Sequence, residues 1–167
     1  MVEIYKNLFI GNQDDYEVNV RMQSNWAIVH ACKEPYHRQA LGYSGRSVSK
    51  DHPEYLMAKR ENRIILNLGD VDNPDWISPL IIDEAIRFIK NKLELGMNVL
   101  VHCNQGMSRS AGIGLLFLAT QGLFKGESFE TAENKFRTSI YPVYNPAQGV
   151  RGYIIRNWNK YSQDEFT

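Results

Sequence analysis

The chain has 167 residues, 43% of them hydrophobic, which suits one core-bearing domain spanning 1–167. Its 19 lysines and arginines balance 19 aspartates and glutamates, so no basic surface predicts a nucleic-acid partner or an anionic membrane. No apolar run reaches the length of a membrane span, and the first residues lack the basic-then-apolar form of a secretory leader.

In chain order, Ile4 to Ile10 reads as a strand that ends at the Gly11-Asn12 turn signal. Gln13 to Ser24 reads as a short helix, and Trp26 to Ala31 as a buried strand of β-branched and aromatic character. Residues 33–62 lack clean periodicity and carry His37, Arg38, Arg46, Lys50, His52, Lys59 and Arg60, an unusual inserted segment too long for a plain connection. Ile64 to Leu68 forms the next strand, followed by an acidic loop from Gly69 to Trp76. Ser78-Pro79 then opens a helix, with Ile82, Ala85, Ile86, Ile89 and Leu93 at helical spacing and Gly96 as its stop. Val99 to Val101 is an apolar strand, and Ala111 to Leu118 an apolar helix. Ser128 caps a helix running to Arg137, and Gln148 to Tyr161 forms the last one. This order predicts an α/β fold, a central, mostly parallel sheet flanked by helices on both faces. Ligands in that class sit beyond the carboxyl ends of strands, where Cys103 and the acidic loop both fall.

Between that last strand and the helix after it lies HCNQGMSRS, His102 to Ser110. Strand, tight loop and helix form an anion cradle, because loop N–H groups and the helix N-terminus converge where the macrodipole favours negative charge. Cys103 stands at one end of the loop. Arg109 stands at the other, six positions on, with a guanidinium suited to bidentate phosphate binding. Helix N-termini and nearby cations favour the thiolate, so the pattern predicts a phosphate ester held against a nucleophilic sulfur. Arg109 and the backbone N–H groups of Asn104, Gln105, Gly106, Met107 and Ser108 would hold the phosphoryl oxygens, with Gly106 letting the chain bend. Ser110 would donate a hydrogen bond to the sulfur when it leaves, and His102 orients the loop rather than moving protons. The two cysteines are too few for a disulfide framework and fit the cytoplasm. The four histidines show no metal-ligand spacing, so neither metal nor cofactor is expected.

HCNQGMSRS resembles the HC-x5-R-S/T signature of the cysteine-based protein tyrosine phosphatases, in the form typical of the dual-specificity branch. The resemblance extends to Leu8-Phe9-Ile10-Gly11-Asn12, to Glu84 through Ile89 and to the proline–asparagine loop from Tyr141 to Pro146, which makes Asn145 a supporting residue. Residues 33–62 stand outside it. It implies hydrolysis of phosphate monoesters through a phosphocysteine, with phosphotyrosine, and phosphoserine or phosphothreonine in proteins, as substrates. Phosphate binding without turnover, as in a pseudophosphatase, and activity on RNA 5′ ends or phosphoinositides are the alternatives.

The family places an acidic residue some thirty positions before the cysteine. Asp70 and Asp72 lie 33 and 31 positions before Cys103, and both remain open, with Asp70 favoured because Leu66-x-Leu68-x-Asp70 continues a strand alternation. Cys32 falls where some relatives carry a second cysteine that traps the oxidised nucleophile, which makes it a candidate redox partner. The loop interior holds no lysine, whereas relatives acting on highly phosphorylated inositol lipids tend to carry extra cations there. A phosphorylated protein is therefore the expected partner.

Overall fold

The computed structural model describes residues 1–163 and Phe166. Six strands form one sheet: β1 (Val2–Tyr5), β2 (Leu8–Gly11), β3 (Trp26–His30), β4 (Met57–Arg60), β5 (Arg63–Leu66) and β6 (Asn98–His102). Their spatial order is β1-β2-β6-β3-β5-β4. The four inner strands run parallel, and β1 and β4 close the two edges as antiparallel hairpins. Five α-helices accompany them: α1 (Arg38–Leu41), α2 (Pro79–Glu94), α3 (Arg109–Thr120), α4 (Phe129–Lys135) and α5 (Gln148–Ser162). Wider π-type turns cover Asp15–Val20, Lys33–His37 and Phe136–Ile140. Among the described residues no helix is long and apolar enough to cross a membrane.

The two faces of the sheet are covered differently. A side chain at Gly114 of α3 would strike Ile10, so α3 lies on the face that Ile10 presents. Strand neighbours in register share a face, so Val101, opposite Ile10, and Val29, opposite Val101, belong to that same layer. Side chains alternate along a strand, which sends His30 and His102 to the other face. There the short turns Asp15–Val20 and Lys33–His37 bring down Tyr16 and Tyr36 as cover.

Three sequence expectations need correction. The run from Ile4 to Ile10 is a hairpin and not one strand, because Asn7 takes a left-handed conformation (φ 65°) and its carbonyl receives the Val99 N–H at 2.8 Å. Residues 33–62 contain the edge strand β4 as well as two helical turns, and buried His37 ties them together through the Tyr43 hydroxyl and the Glu54 carbonyl. Ser78 stands at the start of α2, but its side chain makes no cap; Ser128 does cap α4, accepting the Thr131 N–H at 3.2 Å.

Candidate active site

β6 delivers Cys103 to the carboxyl edge of the sheet, and the loop from Cys103 to Ser108 turns directly into α3 at Arg109. The loop is pinned from outside by its carbonyls. Asn104 O accepts the Gln13 N–H (3.3 Å), Gly106 O the Tyr141 hydroxyl (2.6 Å), Met107 O the Asn145 N–H (2.8 Å) and Ser108 O the Gly112 N–H (2.7 Å). The N–H groups from Asn104 to Ser108 have no protein partner among the described residues. A loop with its carbonyls tied outward and its amide donors free offers those donors to an anion. Gly106 makes the bend possible: its φ is +74°, and a Cβ there would lie 2.9 Å from Gly11 O.

Asp70, Cys103, Asn104, Gln105, Met107, Ser108, Arg109, Asn145, Pro146 and Ala147 line a cavity of about 470 Å³. Cys103 is buried at its floor, with Sγ 3.2 Å from the Ser110 hydroxyl. That hydroxyl also reaches Gly11 O at 3.3 Å, so its single proton is shared between a carbonyl and the sulfur. The Arg109 guanidinium is held by two donations, Nη1 to Leu68 O (3.0 Å) and Nη2 to Asn104 Oδ1 (2.7 Å). Its Nε is buried with no partner among the described residues. Asn104 is fixed in turn, donating to Gln13 Oε1 and to Glu34 O at 2.9 Å each.

The acidic loop enters through Asp70. Its Oδ1 accepts the Ser108 hydroxyl at 2.7 Å, and Ser108 Oγ accepts the Ala147 N–H at 2.9 Å. This explains why Ser108, standing at the N-cap of α3, makes no local cap: its hydroxyl is committed to Asp70. Val71 O receives the Gly149 N–H at 3.0 Å, an approach open only to glycine, since a Cβ at 149 would lie 2.2 Å from that oxygen. With Val71 fixed, its two neighbours diverge. Both are exposed, but Asp70 lines the cavity and Asp72 does not. Asp75 pairs with Arg156 at 2.6 Å on the surface.

No protein-family model matches the chain, and no curated protein sequence matches it. Solved structures do. DUSP15 superposes with a TM-score of 0.66 at 20% identity, covering 99% of this chain and 91% of that one. The human tyrosine phosphatase-like serine/threonine/tyrosine-interacting protein gives 0.62 at 19%, with 95% of both chains covered, and PTPMT1 gives 0.56 at 18%, with 93% and 91% covered. The fold is that of the dual-specificity phosphatases.

On this dual-specificity phosphatase fold the remaining sequence candidates, Asn145 apart, lie behind the cavity wall. Gly106 and Ser110 are buried beneath it, and Asn145 supports the loop through its backbone N–H. Cys32 is fully buried after β3. Burial pushes its thiol up to about 12, with Arg109 pulling it down and Cys103 adding to the rise. His102 is also fully buried; burial holds its pKa down to about 4, so the ring is neutral. Several supports were invisible to sequence reasoning. Tyr141, whose hydroxyl holds Gly106 O, was read only as part of a loop motif. His30 carries no sequence signal beyond the Val-His that ends both β3 and β6; the strand pairing brings the two rings to 2.7 Å.

Proposed function

We propose that the chain is a cysteine-dependent phosphatase that hydrolyses phosphate monoesters, phosphotyrosine and also phosphoserine or phosphothreonine in proteins, through a phosphocysteine intermediate. One observation carries this reading: Cys103 Sγ, an Arg109 with an unpartnered buried Nε, free loop amides and Asp70 share one cavity. The Cys103 thiolate attacks phosphorus, the S–P bond forms, and the bond to the leaving oxygen breaks. Asp70 gives its proton to that oxygen. Its Oδ1 already accepts from Ser108, so the proton to be transferred belongs to Oδ2. In the second step Asp70, now a carboxylate, takes a proton from the water that attacks phosphorus. The S–P bond breaks, and the departing thiolate receives the Ser110 hydroxyl proton as a hydrogen bond. Arg109 and the loop amides hold the three equatorial oxygens throughout. The two unpaired cysteines favour the cytoplasm as its place of action.

Hydrolysis of para-nitrophenyl phosphate tests the proposal. Cys103→Ser is expected to abolish turnover. Asp70→Asn should lower kcat by roughly 10²–10⁴-fold, and Asp72→Asn should leave it near wild type. Full activity in Cys103→Ser refutes the mechanism, and damage by Asp72→Asn in place of Asp70→Asn refutes only the choice of acid. A wild type that binds phosphate tightly and never turns over is the pseudophosphatase alternative.

A further inference from the structure

The cavity does not account for one buried polar assembly directly behind it. β3 and β6 pair in parallel with His30 opposite His102, and both side chains are 0% exposed. His30 Nδ1 lies 2.7 Å from His102 Nε2, and Arg63 Nη1 lies 3.2 Å from His30 Nε2. Tyr16 stacks on His102 at 5.0 Å and 6°, while Tyr36 stacks on His30 at 4.4 Å and 23°. Tyr36 is itself held by its hydroxyl on Glu17 at 2.8 Å. Both imidazoles are thus held by an aromatic ring on one face and by each other at their edges.

From this geometry we infer that Arg63 and His30 are positioning residues: they fix the proton of His102 on Nδ1, beside the Cys103 backbone. The direction follows from donor chemistry. A guanidinium has five N–H donors and no acceptor, so the His30 nitrogen facing Arg63 must accept. A neutral imidazole has one donor and one acceptor; His30 therefore carries its proton on Nδ1 and donates it to His102 Nε2. His102 in turn carries its proton on Nδ1. The reverse chain would set a His30 N–H against an Arg63 N–H, two donors face to face. Both rings stay neutral, because burial lowers both, and the charge of Arg63 also opposes protonation of His30.

The far end of the relay is the start of the phosphate loop. His102 Nδ1 is buried with no hydrogen-bond partner among the described residues, and the Cys103 backbone beside the ring favours its protonated form against the larger effect of burial. A donor on Nδ1 engages the loop through a carbonyl and leaves the amides free for phosphate. An acceptor on Nδ1 would instead compete with phosphate for an N–H. The catalytic consequence rests on the phosphatase reading above; the tautomer does not.

Imidazole ¹⁵N correlation spectra of the full chain test both parts, since only four histidines need assignment. At pH 7 His30 and His102 should both show the Nδ1–H pattern. Arg63→Met should release His102 to a mixed or Nε2–H pattern and lower kcat/KM for para-nitrophenyl phosphate by roughly ten- to hundredfold. Arg63→Lys, which still donates, should restore most of both signals. His30→Asn, which keeps an N–H donor toward His102, should retain the His102 tautomer and more activity than His30→Leu. An Nε2–H pattern at His102 in the wild type overturns the relay. So does an Arg63→Met variant with an unchanged tautomer, whatever its activity. A changed tautomer with unchanged kcat/KM overturns the positioning role. A wild type without turnover refutes the phosphatase reading alone, because the spectra still decide the relay.

Discussion

Acidification from pH 6.5 to 5 should destabilise the fold through its buried histidines, before most carboxylates titrate. His102 has no exposed surface, and burial lowers its pKa from 6.5 to about 4. In the unfolded chain the same ring titrates near 6.5. Below that pH the unfolded state binds a proton that the folded state refuses, so stability is complete above the unfolded value and falls as pH drops toward the folded one. Integrating this uptake between pH 6.5 and 5 gives a loss of about 1.5 kcal/mol from His102 alone. His30, also lowered chiefly by burial, adds a loss of the same sign. With an unfolding entropy of about 2.1 cal/mol/K per residue, the His102 share corresponds to a fall in Tm of about 4 °C. Calorimetry or urea titration across that window measures it. Below pH 5 the carboxylates join with the same sign, Glu34 and Glu54 being lowered by their bonds to Arg38 and Arg60. A His102→Asn variant, compared with itself at the two pH values, should lose about 1.5 kcal/mol less than the wild type. A flat wild-type profile between pH 6.5 and 5, or an equal slope in the variant, would refute the reasoning.

Ser110→Ala removes the donor 3.2 Å from Cys103 Sγ, so the second step should slow by roughly ten- to hundredfold. Rapid-mixing kinetics should then show a burst of nitrophenolate, and its absence with normal kcat would contradict the assigned role. Gly106→Ala forces a Cβ to 2.9 Å from Gly11 O at a φ of +74°, and should cost at least ~2 kcal/mol in urea unfolding together with phosphate affinity. An alanine variant of wild-type stability would mean that the loop can adopt another path. Peroxide converts Cys103 to a sulfenic acid; attack by Cys32 would form the S–S bond and release water. On the proposed redox pairing, dithiothreitol restores wild type more fully than Cys32→Ser, and the disulfide forms slowly, since burial keeps the attacking Cys32 thiol protonated. Equal recovery removes the pairing.

The elements read most readily from the sequence were those whose signals are local. The apolar spacing of α2, the run of α3 and the Val-rich β6 each state their own structure within a few residues. What was hidden depends on neighbours. Asn7 breaks an apolar run through one backbone conformation, and β4 (Met-Ala-Lys-Arg) looks polar because an edge strand pairs on one side only. Sequence alone leaves Asp70 and Asp72 both open for the same reason. Counting positions to Cys103 allows both; what brings Asp70 to the cavity is the Gly149 N–H on Val71 O and the Ser108 hydroxyl on Asp70, contacts made across 78 and 38 positions of chain. The histidine relay needed the strand order, since nothing in the chain says that β6 lies beside β3.

The charges at the cavity bear on substrate class more than the neutral total does. Among its lining residues Arg109 is the single cation and Asp70 the single acid. One guanidinium with a ring of amides suits one phosphoryl group; each further phosphate on a ligand would meet neutral side chains such as Gln105, Met107 and Asn145. Burying such an anion without a partner is costly, so the lining suits one phosphoryl group better than a polyphosphorylated headgroup. No basic residue of 33–62 lines this cavity, and three of them are paired elsewhere: Arg38 with Glu34, Arg60 with Glu54 and Lys59 with Glu84. On the phosphatase proposal, selectivity among substrates then falls to the shape of the cavity rim, built by Asn145, Pro146 and Ala147 on one side and the Asp70 loop on the other.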